Sequence, residues 1–278
     1  MQKIDLHTHT LFSDGTLTPS ESVKLALERG LTALSISDHD STEGLPEAFA
    51  AAKGTGLEVV PGVEFSTIHD RGGVHILTYW PDVANERFQA ELRRLREDRY
   101  RRGERMVRKL QDAGYPILFE RVREIASGKN IGRPHVAQAL VEAGVVAEIK
   151  DAFSDDLIGS GGRAYVEKHA LNPLDAIALM KRAGGLAVLA HPVHWRDGLP
   201  VPDSLIEEMV DSGLDGIEAA HPDHDPDTET RYREMAKRFG LVATGSSDCH
   251  GTRYDPIRMG SVTTDPEEFV RLKERRGL

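Results

Sequence analysis

The chain has 278 residues, of which 39% are hydrophobic and 29% are charged, a balance typical of a globular protein with a substantial core. Its net charge of −10 argues against a surface that coats long nucleic acids, although bound metal ions could still attract an anionic substrate. We expect a cytoplasmic location and no membrane partner. Cys249 is the only cysteine, no run of about 18 apolar residues occurs, and the first ten residues lack the apolar core of a secretion signal.

Short β-rich runs alternate with helical segments, a rhythm that indicates parallel βα units. The predicted strands are Lys3–Thr8, Thr32–Ser37, Leu57–Pro61, Val74–Tyr79, Leu186–Ala190, Gly216–Ala220 and Leu241–Gly245. The predicted helices between them are one starting near Pro19 with Thr18 as its N-cap, and Glu43–Lys53, Pro173–Arg182, Ser204–Ser212, Pro226–Phe239 and Pro266–Arg275. Seven strands in this rhythm suggest an α/β barrel of about seven βα units.

The alternation stops between residues 85 and 168. The pattern there predicts a long arginine-rich helix over Asn85–Ala113, helical pieces over Phe119–Ser127, Pro134–Ala143 and Ala147–Phe153, and a flexible stretch at Gly159–Gly162. We therefore expect residues 1–84 and 169–278 to form the barrel. Residues 85–168 would be an all-helical insertion after the fourth strand that contributes to the substrate site.

Histidines and carboxylates recur at the predicted strands. His7 and His9 are two residues apart on the first strand, so the period of a strand puts both imidazoles on one side. His75 lies on the fourth strand, and the others fall at or just beyond strand ends: Asp14, His39, Glu64, His191, Asp248 and His250. Because strand ends of a βα barrel meet at one face, we expect these nine side chains to converge on a site for divalent metals. Cys249 would point away from its neighbours and pack in the core.

These residues resemble the PHP (polymerase and histidinol phosphatase) family. The matching motifs are Asp5-Leu6-His7-Thr8-His9-Thr10, Ser13-Asp14-Gly15, Ser37-Asp38-His39, Gly62-Val63-Glu64, Val74-His75-Ile76, Ala190-His191-Pro192 and Ser247-Asp248-Cys249-His250. The resemblance implies a distorted (β/α)7 TIM-like barrel with a trinuclear metal centre. It assigns His7, His9, Glu64 and Asp248 to one metal, His75 and His191 to a second with Glu64 bridging, and Asp14, His39 and His250 to a third. Manganese, iron and zinc all suit such ligands.

Chain length and the helical insertion resemble the family's stand-alone phosphoesterases that act on nucleoside 3′,5′-bisphosphates, whose relatives also degrade short RNA from the 5′ end. The segments Arg99-Tyr100-Arg101-Arg102 and Gly132-Arg133-Pro134-His135 suggest that branch. We therefore expect a metal-dependent phosphoesterase for pAp-like bisphosphates. The alternatives are a 5′-3′ exonuclease on short RNA, a histidinol-phosphate phosphatase, or a non-catalytic metal-binding module. The expected partner is a nucleotide or short oligonucleotide, with no obligate protein partner.

The expected mechanism is attack by a metal-bound hydroxide, with no protein nucleophile. Three divalent ions carry about +6 against −3 from the three carboxylates, so the pocket would attract a phosphate. His194 is a candidate acid for the leaving group. Asp5, Asp38 and Asp40 flank ligands and are candidates to orient imidazoles. For a second phosphate we expect four residues: Arg99 and Arg102, which share a helix face, and Arg133 and His135, which open another predicted helix.

Overall fold

The computed structural model describes residues 2–70, 72–127, 130–193 and 199–278. Its strands are β1 Ile4–Asp5, β2 Ala33–Ile36, β3 Glu58–His69, β4 Gly72–Tyr79, β5 Leu186–Leu189, β6 Gly216–Ala220 and β7 Val242–Gly245. Its α-helices are α1 Pro19–Glu28, α2 Leu45–Ala52, α3 Glu86–Asp112, α4 Phe119–Ile125, α5 Arg133–Glu142, α6 Pro173–Arg182, α7 Asp203–Asp211, α8 Pro226–Phe239 and α9 Pro266–Arg276. Each predicted strand and helix is present, and the predicted helix before residue 154 is a 3-10 helix, Ile149–Phe153.

The strands form one sheet in the order β1 to β7, which is the nearly closed, distorted barrel that we expected. The expectation of parallel strands throughout is wrong for β4, because β4 runs antiparallel to both β3 and β5. Its direction follows from the length of β3, which continues to His69 and leaves only two residues before β4 begins. A parallel connection needs a dozen residues or more, so this link forces a hairpin.

The barrel closes at the end where β1 and β7 finish. Beyond those strands, the backbone N–H of His9 donates to the carbonyl of Cys249 at 2.8 Å, and Thr8 pairs with Cys249 in a parallel bridge. Cys249 itself is buried among apolar side chains, as predicted. This bridge brings the segments that carry the first and last candidate ligands side by side.

Alternate residues of β4 show how the barrel separates core from site. His75, Leu77 and Tyr79 point to the same side of the strand because side chains alternate with a period of two. Leu77 and Tyr79 are buried in a cluster with apolar residues of β1, β5 and β7, and the Tyr79 hydroxyl donates to the carbonyl of Leu6 at 3.0 Å. Apolar packing therefore fills one end of the barrel, and His75 faces the other end.

Helix α1 begins as the sequence predicts. The hydroxyl of Thr18 accepts a hydrogen bond from the backbone of Glu21, the Glu21 carboxylate accepts one from the backbone of Thr18, and Pro19 occupies the first turn. This capping box satisfies two backbone donors that the helix cannot pair internally. Of the helices in the described part of the chain, α3 is the longest, and neither it nor another has the length and apolarity of a membrane span.

The 27-residue helix α3 joins two cores. In its first half Phe88, Leu92 and Leu95 pack with the barrel, and in its second half Met106 and Leu110 pack with α4 and α5. Arg99 and Arg102 lie between these halves at spacings of four and three residues, so they continue the same buried stripe. The helix therefore directs two arginines towards the interior where an apolar residue would be usual.

Candidate metal centre and substrate cavity

The structure brings all nine predicted ligand side chains together at one end of the barrel. They form four overlapping groups of donor atoms, and within each group the atoms lie within 4.8 Å of one another. The groups are His9 with Asp14, His39 and His250; His7 with His9 and Asp248; His7 with Glu64 and His191; and His39 with Glu64 and His75. They overlap the three predicted metal sets without reproducing them, so the division of ligands between individual ions stays a prediction.

The carboxylate of Glu64 lies at the centre of the cluster. Its two oxygens are within 3.2 Å of imidazole nitrogens from five residues: His7, His9, His39, His75 and His191. This central place follows from β3, which continues beyond Pro61 and carries Glu64 into the barrel mouth beside β4. Glu64 is therefore within reach of donors from β1, β2, β4 and β5.

The two aspartates also lie among the imidazoles of the cluster. Asp248 Oδ1 is 3.3 Å from Nε2 of both His7 and His9. Asp14 Oδ1 is 3.4 Å from His250 Nε2 and 4.0 Å from His39 Nε2. Each carboxylate thus lies near three or more imidazoles, and this combination of donors is one that first-row divalent metals accept.

Several donor atoms have the surroundings expected of metal ligands. Oδ1 of Asp14 and Oδ1 of Asp248 are buried and form no hydrogen bond of normal geometry among the described residues, although imidazole nitrogens lie 3.4 and 3.3 Å away. Nε2 of His7 and Nε2 of His9 lie only 3.1 Å apart. Buried polar atoms are normally paired, and lone pairs this close repel unless a cation lies between them. The residues present therefore fit bound divalent ions.

Charge in the cluster also favours cations. Burial opposes ionisation of Glu64, but the neighbouring imidazoles, with His39 foremost, keep its pKa well below the usual range. His250 does the same for the pKa of Asp248 and of Asp14 against the same effect of burial. Burial likewise opposes the charged form of His9, yet Asp248 and Glu64 raise its pKa to about 10. The carboxylates thus stay anionic, and cations stabilise them.

Of the two roles open for the three flanking aspartates, direct orientation of an imidazole is not seen among the described residues. Asp5 accepts from the hydroxyl of Ser247 at 2.5 Å and from a backbone N–H, and Asp40 pairs with Arg99. Asp38 accepts from Ser13 at 2.6 Å, and the Ser13 hydroxyl lies 3.1 Å from Nδ1 of His9. Asp38 acts on the His9 imidazole through Ser13, and Asp5 accepts the backbone N–H of His7 at 3.5 Å. The strand-end position of these residues, which motivated the prediction, does not specify where their side chains point.

Two residues of the site were missed in the sequence. Glu218 lies in β6 with its carboxylate 3.3 Å from Nδ1 of His7. His221 directly follows β6, and its Nε2 is 3.6 Å from Oδ2 of Asp248. The signal for His221 was available, because it follows its strand as His191 follows β5. Glu218 had no comparable signal, since a single acidic residue within a short strand belongs to no motif.

A cavity of about 840 Å³ opens beside the ligand cluster. Ligand residues Asp14, His39, His75 and His191 line it together with four cationic side chains, Arg99, Arg102, Arg133 and Lys168. The aromatic rings of Phe153 and Tyr165 also line its wall. The structure therefore places three of the four predicted substrate residues around one space with the candidate ligands.

The four cations differ in how they are held. Arg99 forms a salt bridge with Asp40 at 2.6 Å and donates to the hydroxyl of Ser66. Arg102 donates to the carbonyl of Val166 at 2.7 Å and lies over the ring of Tyr165. Arg133 lies over the ring of Phe153, with its guanidinium carbon 5.4 Å from the ring centre. Lys168, which the sequence did not mark, donates to the carbonyl of Ser66 at 2.9 Å.

Three of these cations lack an anionic partner. Arg102, Arg133 and Lys168 form no salt bridge with a carboxylate in the described part of the chain. Burial and the charge of Arg133 lower the pKa of Arg102 to about 10, and burial and Arg99 hold the pKa of Lys168 well below its usual range. Grouped positive charges that burial and mutual repulsion destabilise are stabilised by a bound anion. This wall of the cavity therefore favours an anionic ligand.

His135 is not among the described residues that line the cavity. His135 is buried at the start of α5, where its Nδ1 accepts the backbone N–H of Gly132 at 3.0 Å. Burial lowers the pKa of His135 to about 4, so the ring is neutral at pH 7. Its role in substrate binding stays a prediction, and the contact observed is with its own helix terminus. His194 lies outside the described residues.

Comparison with known proteins gives a consistent result. The family model named PHP domain matches residues 5–192. A 3′,5′-nucleoside bisphosphate phosphatase of Chromobacterium violaceum is 36% identical over 90% of this chain and 88% of its own length. A 5′-3′ exoribonuclease of Haemophilus influenzae is 34% identical over 90% of each chain. A solved structure from Bifidobacterium adolescentis, described as a metal-dependent phosphoesterase, covers all of this chain and 97% of its own with a TM-score of 0.92 and 35% identity.

Proposed function

This chain belongs to the PHP domain family and is a metal-dependent phosphoesterase, and we propose that its substrates are nucleoside 3′,5′-bisphosphates. One observation carries the proposal: the candidate metal ligands face the same cavity as three partly buried cations that have no carboxylate partner in the described part of the chain. A substrate with two phosphates would place one phosphate at the candidate metal ligands and the other at the three cations. A simple monophosphate would leave the three cations without a bound anion.

We assign the second phosphate to Arg102, Arg133 and Lys168. Arg102 uses its Nε for Val166, and its terminal nitrogens, which lie beside Tyr165, can donate to an anion. Arg99 is instead assigned to orientation, because Asp40 and Ser66 already bind it. Residues 85–168 form, in this proposal, an insertion that supplies all three cations to a site whose metal ligands belong to the barrel.

The nine predicted ligands would hold the metal ions, which we propose to be three in number, manganese or alternatively iron or zinc. Such ions, when bound, supply an activated water and neutralise phosphoryl oxygens. The chain itself orients the ligands and excludes water from their buried side. It needs no protein nucleophile, and Cys249 is unsuited to that role because burial raises its pKa to about 11.

The aromatic residues of the cavity favour a nucleoside over histidinol. Phe153 and Tyr165 line the same space as the cations, and bases stack on aromatic rings with about 1–3 kcal/mol per base. The same feature makes 5′-3′ exonuclease activity on short RNA the second candidate, since an oligonucleotide presents both bases and phosphates. The exoribonuclease from Haemophilus influenzae supports this alternative, because its sequence identity to this chain, 34%, is close to the 36% of the bisphosphate phosphatase.

The test is a substrate panel with metal-depleted protein reconstituted with manganese. The panel contains 3′-phosphoadenosine 5′-phosphate, adenosine 5′-monophosphate, histidinol phosphate and a dinucleotide, with release of phosphate and of nucleoside monophosphate measured separately. We expect phosphate release from the bisphosphate with the highest kcat/KM. A higher value for the dinucleotide, with nucleoside monophosphate as product, would assign the chain to exonucleases, and a preference for histidinol phosphate would refute both nucleotide activities.

A further inference from the structure

Glu218 is a buried carboxylate that contacts two candidate metal ligands from different strands. It lies in β6, its side chain is fully buried, and its two oxygens reach towards β1 and β5. We propose that Glu218 is a positioning residue that holds His7 and His191 in the geometry required for metal binding. This inference rests on the proposed metal-binding role of the nine ligands and is independent of the substrate.

The first contact orients the imidazole of His7. Glu218 Oε1 lies 3.3 Å from Nδ1 of His7, while Nε2 of the same ring lies 3.1 Å from His9 and 3.3 Å from Asp248. An imidazole that donates from Nδ1 carries its lone pair on Nε2. The contact with Glu218 therefore selects the tautomer whose free lone pair points to the other ligands, as carboxylates behind metal-binding histidines commonly do.

The second contact holds the backbone of His191. Glu218 Oε2 accepts the backbone N–H of His191 at 2.8 Å. The φ angle of His191 is 21°, in the left-handed region that residues other than glycine rarely adopt. Such a backbone persists only when its surroundings hold it, and it places the ring of His191 so that Nε2 is 3.1 Å from Glu64. Glu218 thus contributes to the placement of this ligand through its backbone.

Both contacts require a hydrogen-bond acceptor on the side chain of residue 218. The two oxygens of a glutamate supply both acceptors. Glutamine has one acceptor oxygen and one donor NH2 group on nearly the same shape. In one orientation of the glutamine amide, its NH2 group faces the backbone N–H of His191, so two donors meet and that hydrogen bond is lost. Turned the other way, its NH2 faces Nδ1 of His7 and favours the tautomer with hydrogen on Nε2, which removes the lone pair needed for a metal ion. Replacing one oxygen by an NH2 group therefore disturbs one ligand or the other without creating a cavity.

The experiment compares manganese binding to metal-free wild-type protein, Glu218→Gln and a matched control, Asp215→Asn, by isothermal titration calorimetry. Asp215 precedes β6 by one residue, and its carboxylate also accepts a backbone N–H of the neighbouring strand, that of Ala187, at 2.9 Å. Its other partners are Lys181 and Arg275, neither of which is a candidate ligand. We expect Glu218→Gln to bind manganese about 10- to 100-fold more weakly in at least one site, the range typical for partners of metal ligands, and Asp215→Asn to bind like the wild type.

Equal affinities for Glu218→Gln and the wild type would overturn the inference while leaving the proposed function intact. Wild-type protein that binds no manganese would overturn both. Thermal melting in chelator separates folding from binding, since a purely structural role would lower the melting temperature of the variant without changing its metal affinity. If Glu218→Gln fails to fold, nitrogen NMR of zinc-loaded wild-type protein provides the test, because it shows which nitrogen of the His7 imidazole carries hydrogen. Hydrogen on Nδ1 of His7 supports the inference, and hydrogen on Nε2 overturns it.

Discussion

Replacing Arg102 by alanine tests whether the cationic wall of the cavity, formed by Arg102, Arg133 and Lys168, recognises a second phosphate. One charge-assisted hydrogen bond contributes about 1.5–3 kcal/mol, and about 1.4 kcal/mol corresponds to a factor of ten. If the terminal nitrogens of Arg102 make one such bond to the substrate, kcat/KM for 3′-phosphoadenosine 5′-phosphate should fall roughly 10- to 150-fold. Adenosine 5′-monophosphate has no second phosphate, so its kcat/KM should change by less than about threefold.

The control for this prediction is Arg101→Ala. Arg101 is the next residue of α3, its side chain is 69% exposed, and it pairs with Glu97 on the surface of the helix. This variant removes the same charge from the protein without touching the cavity and should leave both substrates unaffected. The measurement is steady-state phosphate release with each substrate at saturating manganese. Equal losses on the bisphosphate and the monophosphate in Arg102→Ala would remove the cationic wall from substrate discrimination.

Three further outcomes are expected. His191→Asn should abolish turnover, since it removes one imidazole from the donor groups, and full activity after manganese is restored would disprove this. Native protein should resist alkylation of Cys249 by iodoacetamide at pH 8, because the thiol is buried with a pKa of about 11, whereas urea-unfolded protein should react readily. As pH falls from about 6.5 towards 4, metal-free wild type should lose up to about 3 kcal/mol of unfolding free energy relative to His135→Gln, because the unfolded chain binds a proton that folded His135 excludes. Urea titrations at both ends of that range would test it, and a constant difference would contradict it.

Local patterns were sufficient for much of this architecture. The helix limits follow from caps and apolar spacing, as at Thr18 and along α3, since these depend on residues within a few positions. The convergence of His7, His9 and His191 was also predictable, because the period of a strand and the common end of barrel strands determine where such side chains point. Sequence alone therefore indicated a barrel with histidines and carboxylates gathered at one mouth.

Tertiary structure decided the features that depend on partners distant in the chain. The direction of β4 depends on how far β3 extends, and the polar, β-branched residues up to His69 gave no clear end to that strand. Arg99 binds Asp40, whereas Arg102 three residues later has no carboxylate partner among the described residues, although both continue one helical stripe. Lys168 and Glu218 belong to no motif and acquire their surroundings only when strands and helices far apart in sequence pack together. Periodicity specifies the side of an element on which a residue lies, and only folding specifies which group it meets there.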